Sequence, residues 1–206
     1  MIDSMTDPPQ LSLRGSAGGL GIQGPLLQAA PGGLDIEAGT MSADIDLRAS
    51  GHSVGAMLAT LTGDVSARVQ DGAVSGFGLA ALASALAVDD ANQALGEVRQ
   101  ALLPSGTAFS TLDLRLGLKR GSGALEGRLI AGAGEAELRG NIDFPAHIAD
   151  LRVALRPQPP LTPEAAAALP EIGLRIAGPF GALVRTPELA SVSRWLALRP
   201  PPETTP

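Results

Sequence analysis

The chain has no cysteine and no tyrosine, and its aromatics amount to 2%, four Phe and one Trp. Without cysteine there are no disulfides and no thiol chemistry, and most zinc-site patterns fall away. So few rings offer no stacking platform for nucleobases. Lys and Arg (15) are outnumbered by Asp and Glu (21), the net charge is -6, and no cationic cluster stands out. Nucleic-acid binding is therefore not expected. No apolar run reaches the 18 residues that would suggest a membrane-spanning helix. The start, Met1-Ile2-Asp3-Ser4-Met5-Thr6-Asp7-Pro8-Pro9, is acidic and polar, without a basic region or an apolar stretch. It does not read as a signal peptide. Two expectations follow: a cytosolic domain, or a piece of a longer protein whose targeting segment lies elsewhere.

What the chain does have is aliphatic side chains and turn formers. Hydrophobic residues make up 45%, with 26 Gly and 17 Pro. The length of 206 residues suits one domain with short tails. The expected boundaries are a disordered segment over 1–10, a β-rich domain over 11–197 and a Pro-rich tail over 198–206.

The dominant signal is period-two alternation, the mark of half-buried strands. Leu112, Leu114, Leu116 and Leu118 oppose Thr111, Asp113, Arg115 and Lys119. Ala136, Leu138, Gly140, Ile142 and Phe144 oppose Glu135, Glu137, Arg139, Asn141 and Asp143. Leu151, Val153 and Leu155 repeat the pattern, as do Ile172, Leu174 and Ile176. Towards the N-terminus it recurs in Leu34 and Ile36, in Met41 to Leu47, and in Val65 to Val69, while Leu11 and Leu13 begin an earlier strand. Turn signals lie between the runs at Pro31-Gly32-Gly33, Asp71-Gly72, Gly121-Ser122-Gly123 and Gly132-Ala133-Gly134. Short spacing between runs predicts an antiparallel meander with one apolar and one charged face. Helices are predicted over Val54 to Leu61, over 78–102 as two pieces broken near Asp89-Asp90, and over 187–197 with Thr186 as N-cap and Pro187 at the first position. A short helix is expected from Pro163 to Leu169. The fold class is mainly β, a β-rich α+β chain. Its long antiparallel meander forms a curved sheet or groove, with short helices after the middle strands and at the C-terminus.

No constellation supports an enzyme. His52 and His147, the only histidines, sit at expected turns and read as exposed. Asp89 and Asp90 are adjacent, so on a helix they point apart, and Asp90 is better explained as an N-cap. No serine has a G-x-S-x-G context. The stretch Gly15-Ser16-Ala17-Gly18-Gly19 lacks the Lys-Ser/Thr of a phosphate loop and reads as a turn. No catalytic residue, metal ligand or cofactor is assigned.

The supply of aliphatic strand faces supports two readings. One is a structural or interaction module, a closed, dry β-core without a ligand whose sheet edges pair with another copy or a neighbouring domain. The other is a concave apolar face, partly open, that holds acyl chains. For the second, the candidate lipid-facing residues are Leu112, Leu114, Leu116, Leu138, Ile142, Leu151, Val153 and Leu155. Aromatics dominate interfaces that recognise shape, whereas aliphatic walls suit interchangeable hydrocarbon.

Three segments together resemble the C-terminal region of the AsmA family. Leu61-Thr62-Gly63-Asp64-Val65 through Gln70-Asp71-Gly72-Ala73-Val74-Ser75-Gly76-Phe77-Gly78-Leu79 is similar to a family strand that leads into helices, with Gly78 where the family often has Asp. Thr107-Ala108-Phe109-Ser110-Thr111-Leu112 is similar to a T-x-F-x-x-L segment before a long strand. Ile176-Ala177-Gly178-Pro179-Phe180 is similar to a closing element before a final helix. The resemblance spans about residues 35–195; the N-terminal transmembrane anchor and long preceding repeats of the family fall outside it. It implies an envelope protein at the periplasmic face of the bacterial inner membrane. It further implies a groove that handles phospholipid or another acyl-chain lipid, envelope proteins as further partners, support of outer-membrane assembly, and no catalysis.

Overall fold

A computed structural model describes residues 2–3, 8–26, 33–103, 105–159 and 169–198. Among these, ten strands form one antiparallel sheet whose spatial order equals their sequence order. They are β1 Ile2–Asp3, β2 Gln10–Gln23, β3 Asp35–Ser50, β4 Thr62–Ser75, β5 Gly106–Lys119, β6 Ser122–Ala131, β7 Gly134–Asp143, β8 Ile148–Pro157, β9 Ile172–Pro179 and β10 Val184–Glu188. The helices are α1 Val54–Thr60, α2 Leu79–Leu86, α3 Ala91–Ala101 and α4 Ala190–Leu198. The β-rich class and the meander are thus as the alternation predicts.

Register explains why the alternation is so clean. Met41, Val69, Leu112, Leu129, Ala136, Leu155 and Ile172 are successive cross-strand partners, so they form one rung on one face. Two residues along each strand, Ala43, Ala67, Leu114, Gly127, Leu138, Val153 and Leu174 form the next. A third contains Ile45, Val65, Leu116, Leu125, Gly140, Leu151, Ile176 and Arg185. The opposite face carries the charges, arranged as cross-strand ion pairs such as Arg14–Asp46 at 2.5 Å, Arg68–Asp113 at 2.6 Å and Arg175–Asp150 at 2.7 Å. Each exposed pair contributes at most about 1 kcal/mol. Their larger effect is on register, because a one-residue slip of a strand would carry the arginines of its charged face to the apolar side.

The core lies at one end of the apolar face. There α2, α3 and α4 bury Leu79, Leu82, Leu86, Val98, Val192 and Leu196 against Leu112, Leu129, Ala136, Leu155 and Ile172. Asp90 caps α3, its carboxylate accepting from the Gln93 N–H at 2.7 Å, as its position before that helix predicts. Gly78 precedes α2 without a side chain to cap it. Thr107 of β5 does the work instead: its hydroxyl accepts from the Leu79 N–H at 3.1 Å and donates to the Phe77 carbonyl at 2.5 Å.

Several expectations need correction. The terminal helix begins at Ala190, not 187, because Val184–Glu188 pairs with β9 and places Pro187 opposite Leu174. Proline on an edge strand forfeits no inward ladder bond. Asp71-Gly72 is not a turn but a kink inside β4. Asp71 has φ 49°, and the register with β3 shifts between the pairs Thr40–Gln70 and Ala38–Ala73, which is a bulge. The stretch Gly15–Gly19 is not a turn either; it lies within β2, held by pairing to β3, with a register shift between Ala17 and Leu20. Within 1–10, Ile2–Asp3 pairs with β2 and Gln10 opens β2. The expected helix from Pro163 and the proline-rich tail from Pro200 lie outside the described residues, and Leu169, which is described, is not helical.

Candidate functional site

The three helices cover only part of the apolar face. Beyond them the face stays partly open as a cleft of about 640 Å³. That is within the size range of small-ligand sites. Its floor is built from the rungs: Leu112, Leu114, Leu125, Leu129, Leu138, Leu151, Val153 and Ile176. Gly127 interrupts the floor between Leu114 and Leu138, and a Cβ there would meet Leu114 Cδ2 at 2.8 Å and Leu138 Cβ at 3.2 Å. The missing side chain is part of the hollow. Leu34 just before β3 and Ile36 at its start, with Val74 and Phe77, form a further part of the lining. Phe144, Phe180 and Leu183 stand at the other end, the two rings edge to face at 5.9 Å. Asp35, itself buried, is the single ionisable residue among the lining set.

A half-buried cation lies near the cleft. Arg185 ends the third rung and so projects from the apolar side of β10. Its guanidinium donates to the carbonyls of Gly76, Leu102 (3.2 Å) and Gly33 (3.5 Å). Leu102 ends α3, where the helix presents unpaired carbonyls and the negative end of its dipole. Burial pushes the guanidinium below its ordinary value, and three neutral acceptors hold it in place. Arg185 thereby ties the β10 edge to the segment before β3 and to the end of β4.

The candidate residues fall in three places. Leu112, Leu114, Leu138, Ile142, Leu151 and Val153 line the cleft. Leu155 lies in the covered core at 0% exposure. Leu116 borders a second, shallow hollow with Asp44, Asp64 and Arg115. Leu125 and Leu129 belong to the same alternation and could have been named from it. Leu34 and Ile36 also belong to the alternation, but nothing in it places them at this cleft, and Phe77 and Phe180 lie outside any alternating run, so only the tertiary structure brings these four to the lining. His52 and His147 are exposed, and no group of His, Asp or Glu suited to a metal occurs among the described residues.

Comparison with known families decides the lineage. The sequence model of the AsmA family matches residues 1–125. The chain belongs to the AsmA family. Among curated proteins and solved structures nothing matches. The AsmA match runs from β1 to the middle of β6, so it takes in the strand-to-helix segment at 61–79 and the Thr107–Leu112 segment. The structure gives both a physical role in this AsmA-family chain: the first carries the bulge and enters α2, and the second supplies the buried threonine that caps it. The third segment, 176–180, lies beyond the match and ends β9 at the rim of the cleft.

Proposed function

We propose that this AsmA-family chain is a non-catalytic module of the bacterial envelope that holds the acyl chains of lipids in its apolar cleft. It would act at the periplasmic face of the inner membrane, in lipid transfer or in support of outer-membrane assembly. Membership of the AsmA family supports an envelope role in lipid transport or assembly. The observation that carries the finer reading is the cleft itself: an aliphatic floor, hollowed at Gly127, with one ionisable residue in its lining. Each methylene moved from water into such a site contributes about 0.8 kcal/mol, so ten contribute roughly 8 kcal/mol before ordering costs are subtracted. A floor without polar anchors leaves no barrier to sliding along it.

The test is native mass spectrometry of the purified chain, followed by titration with a fluorescent fatty acid. Co-purifying lipid and saturable uptake are expected. Gly127→Val puts a branched side chain into the floor and should abolish uptake with the circular dichroism spectrum unchanged. A chain that carries no lipid and takes up no probe would sink the reading.

A second reading, a module that joins partners through its sheet edge, is favoured by β2. This 14-residue edge strand is paired on its outer side only with Ile2–Asp3 among the described residues. Concentration-dependent association without lipid, measured by sedimentation, would support it.

A further inference from the structure

The end of the sheet opposite α2, α3 and α4 is a continuous rim. Three backbone hydrogen bonds link its turns: Gly121 N–H to Leu61 C=O at 2.7 Å, Phe144 N–H to Gly121 C=O at 2.9 Å, and Phe180 N–H to His147 C=O at 2.9 Å. Four segments meet there: α1 with its return to β4, the two-residue hairpin Arg120-Gly121, the turn after β7, and the turn after β9. The apolar cleft reaches this rim, since Ile142, Phe144 and Phe180 line it. Two of the four phenylalanines in the whole chain are thus gathered at one edge.

The rim differs in charge from the rest of the molecule. Across residues 52–62, 119–123, 143–148 and 179–183 the only carboxylate is Asp143, against Lys119 and Arg120, in a chain of net charge -6. Asp143 is turned inward: it accepts from the Ala146 N–H at 2.7 Å and from the Ser122 hydroxyl at 2.8 Å. Those bonds hold its carboxyl below the usual range, so it stays an anion engaged with its own turn. Lys119 and Arg120 are exposed, and Arg120, at φ 52°, occupies a hairpin tip. Val54 is 75% exposed on α1, and Pro145 and Ala182 are exposed beside the two rings. The outer face of the sheet has charges of both signs, among them the ion pairs Arg14–Asp46, Arg68–Asp113 and Arg175–Asp150.

We propose that this rim docks on a bilayer surface containing anionic lipid, with the mouth of the cleft facing the membrane. The proposal rests on the acyl-chain reading of the cleft and adds the surface through which chains would enter. Apolar contact and attraction of cations to anionic headgroups together are what interfacial binding requires. The acidic remainder of the molecule would be repelled by the same surface, which leaves the rim as the favoured approach.

The experiment is co-sedimentation of the full chain with vesicles of phosphatidylethanolamine and phosphatidylglycerol, and with vesicles of phosphatidylcholine alone. Binding to the anionic vesicles that weakens with added salt is expected. The double variant Lys119→Gln, Arg120→Asn keeps a residue that tolerates the left-handed tip. It should bind anionic vesicles about thirtyfold more weakly, from about 1 kcal/mol per cation near the surface. Its uptake of a fluorescent fatty acid without vesicles should be unchanged, which separates docking from the cleft reading. Failure of the native chain to sediment with anionic vesicles would overturn the proposal, as would equal binding by the double variant or binding to both vesicle types that salt does not weaken.

Discussion

A single hydroxyl shows how much one residue decides in this chain. Thr107 is buried at 5% exposure and completes the entry of α2, a role that a capping side chain at position 78 would otherwise fill. Thr107→Val keeps the shape and removes both bonds, leaving the Leu79 N–H buried without a partner. The expected loss is about 1–3 kcal/mol in urea unfolding. Thr107→Ser retains the hydroxyl and should fall well short of that loss. A larger loss for Thr107→Ser than for Thr107→Val would mean that the methyl packing, not the cap, matters. Nothing in the sequence marks this threonine as a cap, because its partners lie 28 and 30 residues away.

At the scale of elements, strands were legible and their interruptions were not. The alternation of Leu112 to Leu118 or Ala136 to Ile142 reports a local period that any buried strand face imposes. Glycine-containing stretches are ambiguous, since the same residues serve turns, bulges and close approaches of neighbouring strands. Gly63 is of the last kind: with φ 138°, an added Cβ would lie 1.9 Å from the Asp46 carbonyl oxygen of β3. Gly15 in β2 has nothing within 4 Å of that position. Gly63→Ala should therefore lose more than about 1 kcal/mol, and Gly15→Ala should be neutral or gain up to about 1 kcal/mol. Thermal melts of the two variants, read side by side, check the contrast. The terminal helix starts three residues later than its capping chemistry predicts, for a related reason. Thr186 and Pro187 carry helix-start chemistry, but pairing with β9 satisfies more backbone groups than an early helical turn would.

Over the whole molecule the apolar face divides into a covered part and an open part. Leu155 and Leu116 come from the same kind of alternating strand, yet Leu155 is fully buried and Leu116 only partly. Leu155→Ala should lose about 2–5 kcal/mol, the range for a truncation that leaves a cavity in a packed core. Leu116→Ala should lose about 1 kcal/mol, since part of its surface already meets solvent. Similar losses at both sites, measured by urea unfolding, would mean that the face is closed along its full length in solution.

The order of the strands, the side each leucine takes and the break between α2 and α3 follow from the sequence alone. Period two and capping chemistry act between residues near in the chain. Tertiary structure decided how far the sheet curls, where the helices lie on it, and which aliphatic residues stay exposed. Those outcomes depend on contacts such as Arg185 with Gly33 and Gly76, groups 152 and 109 residues apart, and no local period reports a contact of that reach.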